Sequence, residues 1–250
     1  MGLPYALWNR KAIQHCIQKE TKQKIWLQTV SKYTDRWGLS PQRPAKYAYE
    51  QDKKKIKRWL EVEYPKIQAE AQEQGAEIHW GDETGVALST FYARSYAPKG
   101  KTPAIRLPAR QGHISFISSI TNRGDMRFMM YRGALNTNLF ITFAERLIED
   151  TEKKIYLIVD NLRVHKAKSV RLWEQRHRDS IKLFSLPPYA PQHNPDELLN
   201  NTLKQNVHLS SVPTDYSGLR KNVYSCMKSL QKRPSVIRSF FTTKLTAYAN

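Results

Sequence analysis

An α/β fold, with a mixed sheet flanked by helices and a small all-helical unit ahead of it, is predicted by three observations. Apolar residues recur at helical spacing up to about residue 75 and at strand spacing beyond it. The run "IYLIV" at 155–159 is unbroken and apolar, as in a strand covered on both faces. From residue 76 the elements read as three strands, then helix, strand, helix, strand, helix.

The first 40 residues read as short helices. "WNRKAIQHCIQKE" is one, and "TVSKYTDRWG" is the next, with Val30, Tyr33 and Trp37 at helical spacing and Gly38 placed to end it. Such a pair resembles a helix-turn-helix, whose second helix enters the major groove. That nominates Ser31, Lys32, Thr34, Asp35 and Arg36 as residues that meet DNA. The alternative is an ordinary helical hairpin with a polar outer face. "GLSPQRPAKYA" is a connector, because Pro41 and Pro44 disfavour helix, and Arg43 and Lys46 keep it basic enough to touch DNA. From Glu50 to Gln74 the positions Ile56, Trp59, Leu60, Tyr64, Ile67 and Ala71 predict helix, split or kinked by Pro65 and ended at Gly75. The run "KKKIKR" within it reads as a solvated face.

Strands follow. "AEIHWGDETGVAL" places Ile78, Trp80, Asp82, Thr84, Val86 and Leu88 on one face, so an acid interrupts an otherwise largely apolar side. "ARSYAPKGKTPA", "HISFISSIT" and "MRFMMYRGAL" are further strand material, with "TNRGDMR" the turn between the last two, which gives an antiparallel meander. An amphipathic helix around "TNLFITFAERLIEDTE" leads to "KKIYLIVDN", which ends in Asp160. A helix, "HKAKSVRLWEQRH", and a strand, "IKLFSLP", come next. In "PPYAPQHNPDELLNN", Asn194 suits a cap, Pro195 a first turn, and Asp196 and Glu197 the positive end of a helix dipole. A reciprocal capping bond from Glu197 would explain these residues without any chemistry. In the tail, Leu219, Val223, Cys226 and Leu230 are spaced to pack a helix back on the domain. A sheet antiparallel at one side, parallel at the other and covered by helices is the layout of a ribonuclease H-like domain.

Composition narrows the partners. Among 250 residues, 41 Lys and Arg against 22 Asp and Glu give a net charge of +19, which points to a polyanion. No apolar run of 18 residues and no signal-peptide core is present, so an intracellular protein is expected, with no membrane partner. Cys16 and Cys226 form no CxxC and read as packing residues. His79, His113 and His193 lack metal-ligand spacing and read as surface or packing residues. No GxSxG or phosphate-binding glycine loop occurs.

Asp82, Asp160 and Glu197 share an expected edge of the sheet. Like charges gathered there repel unless a divalent cation lies between them, and carboxylate oxygens suit magnesium or manganese. Two such ions can drive in-line attack on a phosphodiester with no histidine base. The prolines ahead of Glu197 would stiffen its approach. Glu83 points away from Asp82 by strand alternation yet is near enough to support the site.

At these residues the chain resembles a known family. "WGDETGV", "LIVDNLRVHKA" and "LPPYAPQHNPDE" resemble, in order, the three acid-bearing motifs of DDE insertion-sequence transposases on the mariner-related branch, and "RWGLSPQRP" resembles the segment leaving their DNA-binding half. The resemblance implies a triad of Asp82, Asp160 and Glu197 that holds magnesium or manganese, cuts transposon ends and joins them to a target. Asn161 and His165 would be supporting or DNA-contact residues. It implies a winged helix-turn-helix-like domain over 1–45, a helical linker over 46–75 and the catalytic domain over 76–250, with Lys32, Arg36 and Arg43 of the first and Lys46 of the linker on DNA. A homodimer on double-stranded DNA is implied as well. Family members carry a further helix-turn-helix before the point where this chain begins, which implies an N-terminally shortened relative. The alternative expectation is a catalytically silent derivative that binds DNA as a repressor or inhibitor.

Overall fold

The computed structural model describes residues 5–42, 48–88, 98–102, 112–207 and 213–250. The chain divides into two compact units, Met1–Tyr47 and Ala48–Asn250.

In the first unit, α1 (Arg10–Thr21) starts at Asn9, whose side-chain oxygen accepts from the Ala12 amide, and α2 (Leu27–Arg36) runs out into Gly38 at φ +69°. Ala12 and Val30 are the buried residues of the pair. Tyr33 and Trp37 share Val30's spacing but stay exposed, stacked on each other at 5.7 Å. Two short helices can bury only a narrow seam, and one residue of this stripe fills it. Lys32, Asp35 and Arg36 are exposed, while Ser31 and Thr34 are half-buried with hydroxyls donating back to the Leu27 and Ser31 carbonyls. Arg43 and Lys46 lie outside the described residues.

The second unit opens with α3 (Lys53–Arg58), capped by Asp52, which accepts from the Lys54 and Lys55 amides. A π-turn over Trp59–Glu63 joins it to α4 (Tyr64–Glu73), with the Tyr64 amide donating to the Trp59 carbonyl five residues back. The expected split at Pro65 thus takes the form of a π-turn directly before it, and the helical run continues to Glu73. The proline's missing amide falls where a widened turn has already shifted the ladder.

The meander is β1 (Glu77–Ala87), β2 (His113–Ile120) and β3 (Met126–Tyr131), followed by α5 (Thr137–Glu149), β4 (Ile155–Val159), α6 (Lys168–Arg176), β5 (Ile181–Ser185), α7 (Asp196–Asn206), α8 (Tyr216–Gln231) and α9 (Pro234–Ser239). Strand order is β3-β2-β1-β4-β5, antiparallel among the first three and parallel from β1 through β5. Of the expected strand material in "ARSYAPKGKTPA", residues 98–102 form a turn and the rest lies outside the described residues. Between β2 and β3, Gly124 takes φ +98° and lies so close to Pro234 that a Cβ would meet its Cβ at 2.7 Å.

Period-two alternation gives each sheet face its own core. Trp80, Phe116, Met126 and Ile158 face α4, α7, α8 and α9, whose Ile67, Leu199, Val223 and Ile237 complete one cluster. Ile117, Met129, Leu157 and Ile181 face α5 and α6, packing on Phe140, Phe143, Val170 and Trp173. β4 is buried at all five positions, as its apolar run predicts. In α8, Leu219, Val223 and Leu230 are buried, while Met227 takes the place expected of the half-buried Cys226. Among the described residues no helix is long and apolar enough to cross a membrane.

Candidate active site

β1 and β4 run parallel, and their last pair is Trp80 with Ile158. Two residues on, Asp82 and Asp160 stand level. β4 stops at Val159, so Asp160 is the first residue released from the ladder, and its Oδ1 accepts from the Leu162 amide at 2.9 Å.

The third acid arrives on α7. The chain leaves β5 through Pro187, Pro188 and Pro191 and makes one 3₁₀ turn over Pro191–His193. This approach is braced by the C-terminal segment: the Tyr248 hydroxyl donates to the His193 carbonyl at 2.8 Å, and the His193 ring lies 3.1 Å from the Leu245 carbonyl. Asn194 then joins helix to sheet. Its Nδ2 donates to the Gly81 carbonyl at 3.0 Å, and its Oδ1 accepts from the Asp196 amide at 3.1 Å. The reciprocal capping bond does not form, because the Asn194 amide already donates to the Pro191 carbonyl at 2.8 Å. Glu197 is thus left to face the cleft.

Asp196 and Asn200, both fully buried, turn the other way. The Ser118 hydroxyl on β2 donates to Asp196 Oδ2, and Asn200 Nδ2 donates to Asp82 Oδ2, each at 2.7 Å. Helix α7 therefore carries Glu197 into the cleft and, one turn later, a side chain that orients Asp82.

Asp82, Asp160 and Glu197 line one cleft of about 430 Å³, together with Asn161, Asn194 and an apolar wall from Leu186 to Pro191. Burial, then the charges of Glu197, Asp196, Glu83 and Asp160, push the Asp82 carboxyl well above its ordinary range. Burial raises Glu197 too, opposed by Lys204 and reinforced by Asp160 and Glu83. Asp196 is raised chiefly by complete burial, which outweighs the Ser118 hydrogen bond.

On the other side of the strand ends, His165 Nε2 lies 3.3 Å from Asp160 Oδ1 and 3.6 Å from Glu83 Oε2. Its ring packs on Phe140 with centroids 4.4 Å apart. Burial alone would lower the His165 pKa; the Asp160 and Glu83 carboxylates outweigh it and raise it. Among the described residues, Glu83, Asp160 and His165 bring ligand atoms within 4.8 Å of one another, whereas Asp82, Asp160 and Glu197 share a cleft at wider spacing. Glu83 projects away from Asp82, as strand alternation predicts, and meets Asp160 through His165. Asn161 Nδ2 donates to the Leu186 carbonyl and its Oδ1 accepts from Lys166, tying the end of β4 to the start of the proline loop.

Two neighbours of the acids escaped the sequence reading. Ser118 sits in "SFISSI", which reads as core strand; a hydroxyl in a strand otherwise buried at nearly every position was the available signal. Asn200 stands one turn after Glu197, but nothing in the sequence pairs it with a residue 118 positions earlier.

The carboxylates of the cleft fit a cation by their crowding and by their donor type. Burial and four acidic neighbours raise Asp82, and the donors that line the cleft beside it, the carboxylates of Asp160 and Glu197, are hard oxygens of the kind that hold magnesium or manganese.

Residues 77–220 match the family described as the DDE superfamily endonuclease, and residues 4–63 match the winged helix-turn helix family. The fold is similar to that of the Mos1 strand transfer complex, at 13% identity and a TM-score of 0.60 over 100% of this chain and 81% of that one. The Mos1 mariner paired end complex with Mn is similar at 14% identity and a TM-score of 0.59, over 100% of this chain and 81% of the other. The catalytic domain of Mos1 mariner transposase is similar at 10% identity and a TM-score of 0.52, over 81% of this chain and 97% of that one. No curated protein matches the chain in sequence.

Proposed function

The chain belongs to the DDE superfamily of endonucleases, and from that membership we propose that it is a transposase, cutting phosphodiester bonds at transposon ends and joining them to target DNA. The observation that carries this reading is the convergence of Asp82 from β1, Asp160 from the end of β4 and Glu197 from α7 on one cleft. Support comes from the likeness to Mos1 complexes described as strand transfer and paired end, one of them with Mn.

In this reading Asp82, Asp160 and Glu197 are the catalytic residues and would hold two magnesium or manganese ions. Bound there, the cations supply charge neutralisation and Lewis acidity for attack of water or a 3′-hydroxyl on the phosphodiester. The protein's own part is orientation. Asn200 fixes Asp82, His165 fixes Asp160 with Glu83 behind it, and Asn194 with Ser118 sets the helix that aims Glu197. Residues 1–45 serve as the winged helix-turn-helix-like DNA-binding domain; its Lys32, Arg36 and Arg43, with Lys46 at the start of the linker, lie on double-stranded DNA. Residues 46–75 are the helical linker and 76–250 the catalytic domain. The protein works inside the cell as a homodimer that brings two DNA ends together.

The test is cleavage of DNA carrying the element's ends by purified protein with magnesium or manganese. Asp82→Asn, Asp160→Asn and Glu197→Gln should each abolish cutting and joining while DNA binding persists. Cutting that survives in the Asp160→Asn protein would remove this residue from the site.

A further inference from the structure

The cleft has two unlike walls. Opposite the acids, Leu162, Pro187, Pro188 and Pro191 make an apolar surface, and from it Tyr189 projects, 58% exposed. Its backbone is in the left-handed region at φ +57°, where an L-residue is strained and glycine is not. Among the described residues the other non-glycine residue with positive φ is Lys22, which ends a helix.

This conformation is imposed from outside the side chain. Pro187 and Pro188 restrict the chain before it, and Gln51 Nε2 donates to the Tyr189 carbonyl at 2.8 Å. The ring is held by little in exchange: among the described residues no hydrogen bond reaches its hydroxyl and no aromatic or cationic group packs on it. A strained residue whose ring is more exposed than covered and holds no hydrogen bond or ring contact among the described residues, fixed at the mouth of a candidate active site, points to a bound partner.

The partner must offer a flat apolar face next to a phosphate. In a protein carrying +19, beside acids suited to a phosphodiester, a DNA base meets that description. Bases inside a duplex are already stacked on both faces, so the exposed ring suits one that is unpaired or at a strand end. We infer that Tyr189 is a substrate-contacting residue that stacks on an unpaired DNA base flanking the phosphodiester addressed by Asp82, Asp160 and Glu197. The inference rests on the proposed endonuclease reading for the nature of the ligand.

The experiment uses the full chain and duplexes with three-nucleotide single-stranded overhangs, carrying 2-aminopurine at each overhang position in turn. Binding and fluorescence are read without divalent cation, and cleavage is read separately with magnesium. The unaltered protein should quench the probe at one position. Tyr189→Gly relieves the backbone, and Tyr189→Asn tolerates it, so both keep the fold. Both should lose the quenching and bind the overhang roughly 10- to 100-fold more weakly. Tyr189→Phe and Tyr189→Trp should retain both. Absence of quenching by the unaltered protein, or equal quenching by the glycine variant, would overturn the inference. Quenching without any cutting by the unaltered protein would sink the endonuclease reading and leave the stacking residue standing.

Discussion

Asp82 is a charge that the metal-free fold does not favour. Burial weighs on it first, and the charges of Glu197, Asp196, Glu83 and Asp160 add to that. Asp82→Asn keeps the shape and can still accept from Asn200, but removes the charge. Thermal melts in a chelator should therefore show the variant more stable than the unaltered protein, by roughly 2–4 °C for each kcal/mol of repulsion released. Magnesium should raise the midpoint of the unaltered protein alone, and a lower midpoint for the variant in chelator would show that repulsion does not govern this site. Asn200 is the complementary case. Asn200→Ala leaves every acid in place and removes the donor 2.7 Å from Asp82 Oδ2. Manganese affinity, followed by calorimetry, should fall about 10- to 100-fold, and unchanged affinity would make Asn200 a packing residue. Asp82, Asp160 and Glu197 were legible because each breaks a local pattern: an acid on an apolar strand face, an acid ending a buried strand, an acid opening a helix. Asn200 breaks none, and the Ser118 hydroxyl interrupts its strand no more than Ser115 and Ser119 do; the partners of both lie across the fold.

At the scale of elements, the site depends on how α7 meets β1. Asn194 makes that joint with both ends of its amide, so Asn194→Ala should cost about 1–2 kcal/mol in urea unfolding. It should also lower cleavage more than this loss of stability alone explains, as Glu197 loses its direction. β1 is anchored at its other end by Glu77, which His79 at 3.8 Å and Lys153 at 2.9 Å hold down to about 2 against its own burial; the shorter Lys153 contact is the firmer. The folded value lies below the ordinary 4.5, so this stabilisation is complete above about pH 4.5 and drains away as pH falls towards 2. Unfolding midpoints between pH 3 and 6 should fall less steeply in Glu77→Gln, and superimposable curves would rule the cluster out as a source of acid sensitivity. The kinds and sequence of elements were readable from alternation and apolar runs, because periodicity records which face is covered; the strand order β3-β2-β1-β4-β5 was not, since periodicity says nothing of neighbours. The π-turn before Pro65 and the outward Tyr33–Trp37 stack were not, since each depends on what lies opposite rather than on spacing.

For the molecule as a whole, charge decides how DNA is held. Residues 1–75 carry 15 basic and 8 acidic residues, 76–200 carry 18 and 13, and 201–250 carry 8 and 1, so the excess runs the length of the chain. The acids of the cleft belong to the middle stretch, where the excess is smallest. On the proposed reading, holding duplex and cutting it fall to different residues, and duplex affinity should not change in Asp160→Asn. A chain that neutralises about 6–10 phosphates releases as many counterions, and its binding constant should fall about 10³- to 10⁵-fold between 50 and 200 mM salt. Lys32 and Arg36 are exposed on α2. If they sit on phosphates, replacing both with alanine should make the log–log salt slope shallower by about 2, at a cost in affinity that is uniform across sequences. If either reads a base edge instead, its loss will weaken binding to the element's own ends more than to unrelated duplex. Fluorescence anisotropy titrations on both DNAs, at four salt concentrations, separate the two outcomes. A flat salt response in the unaltered protein would mean that the positive charge along the chain is not the surface that DNA occupies.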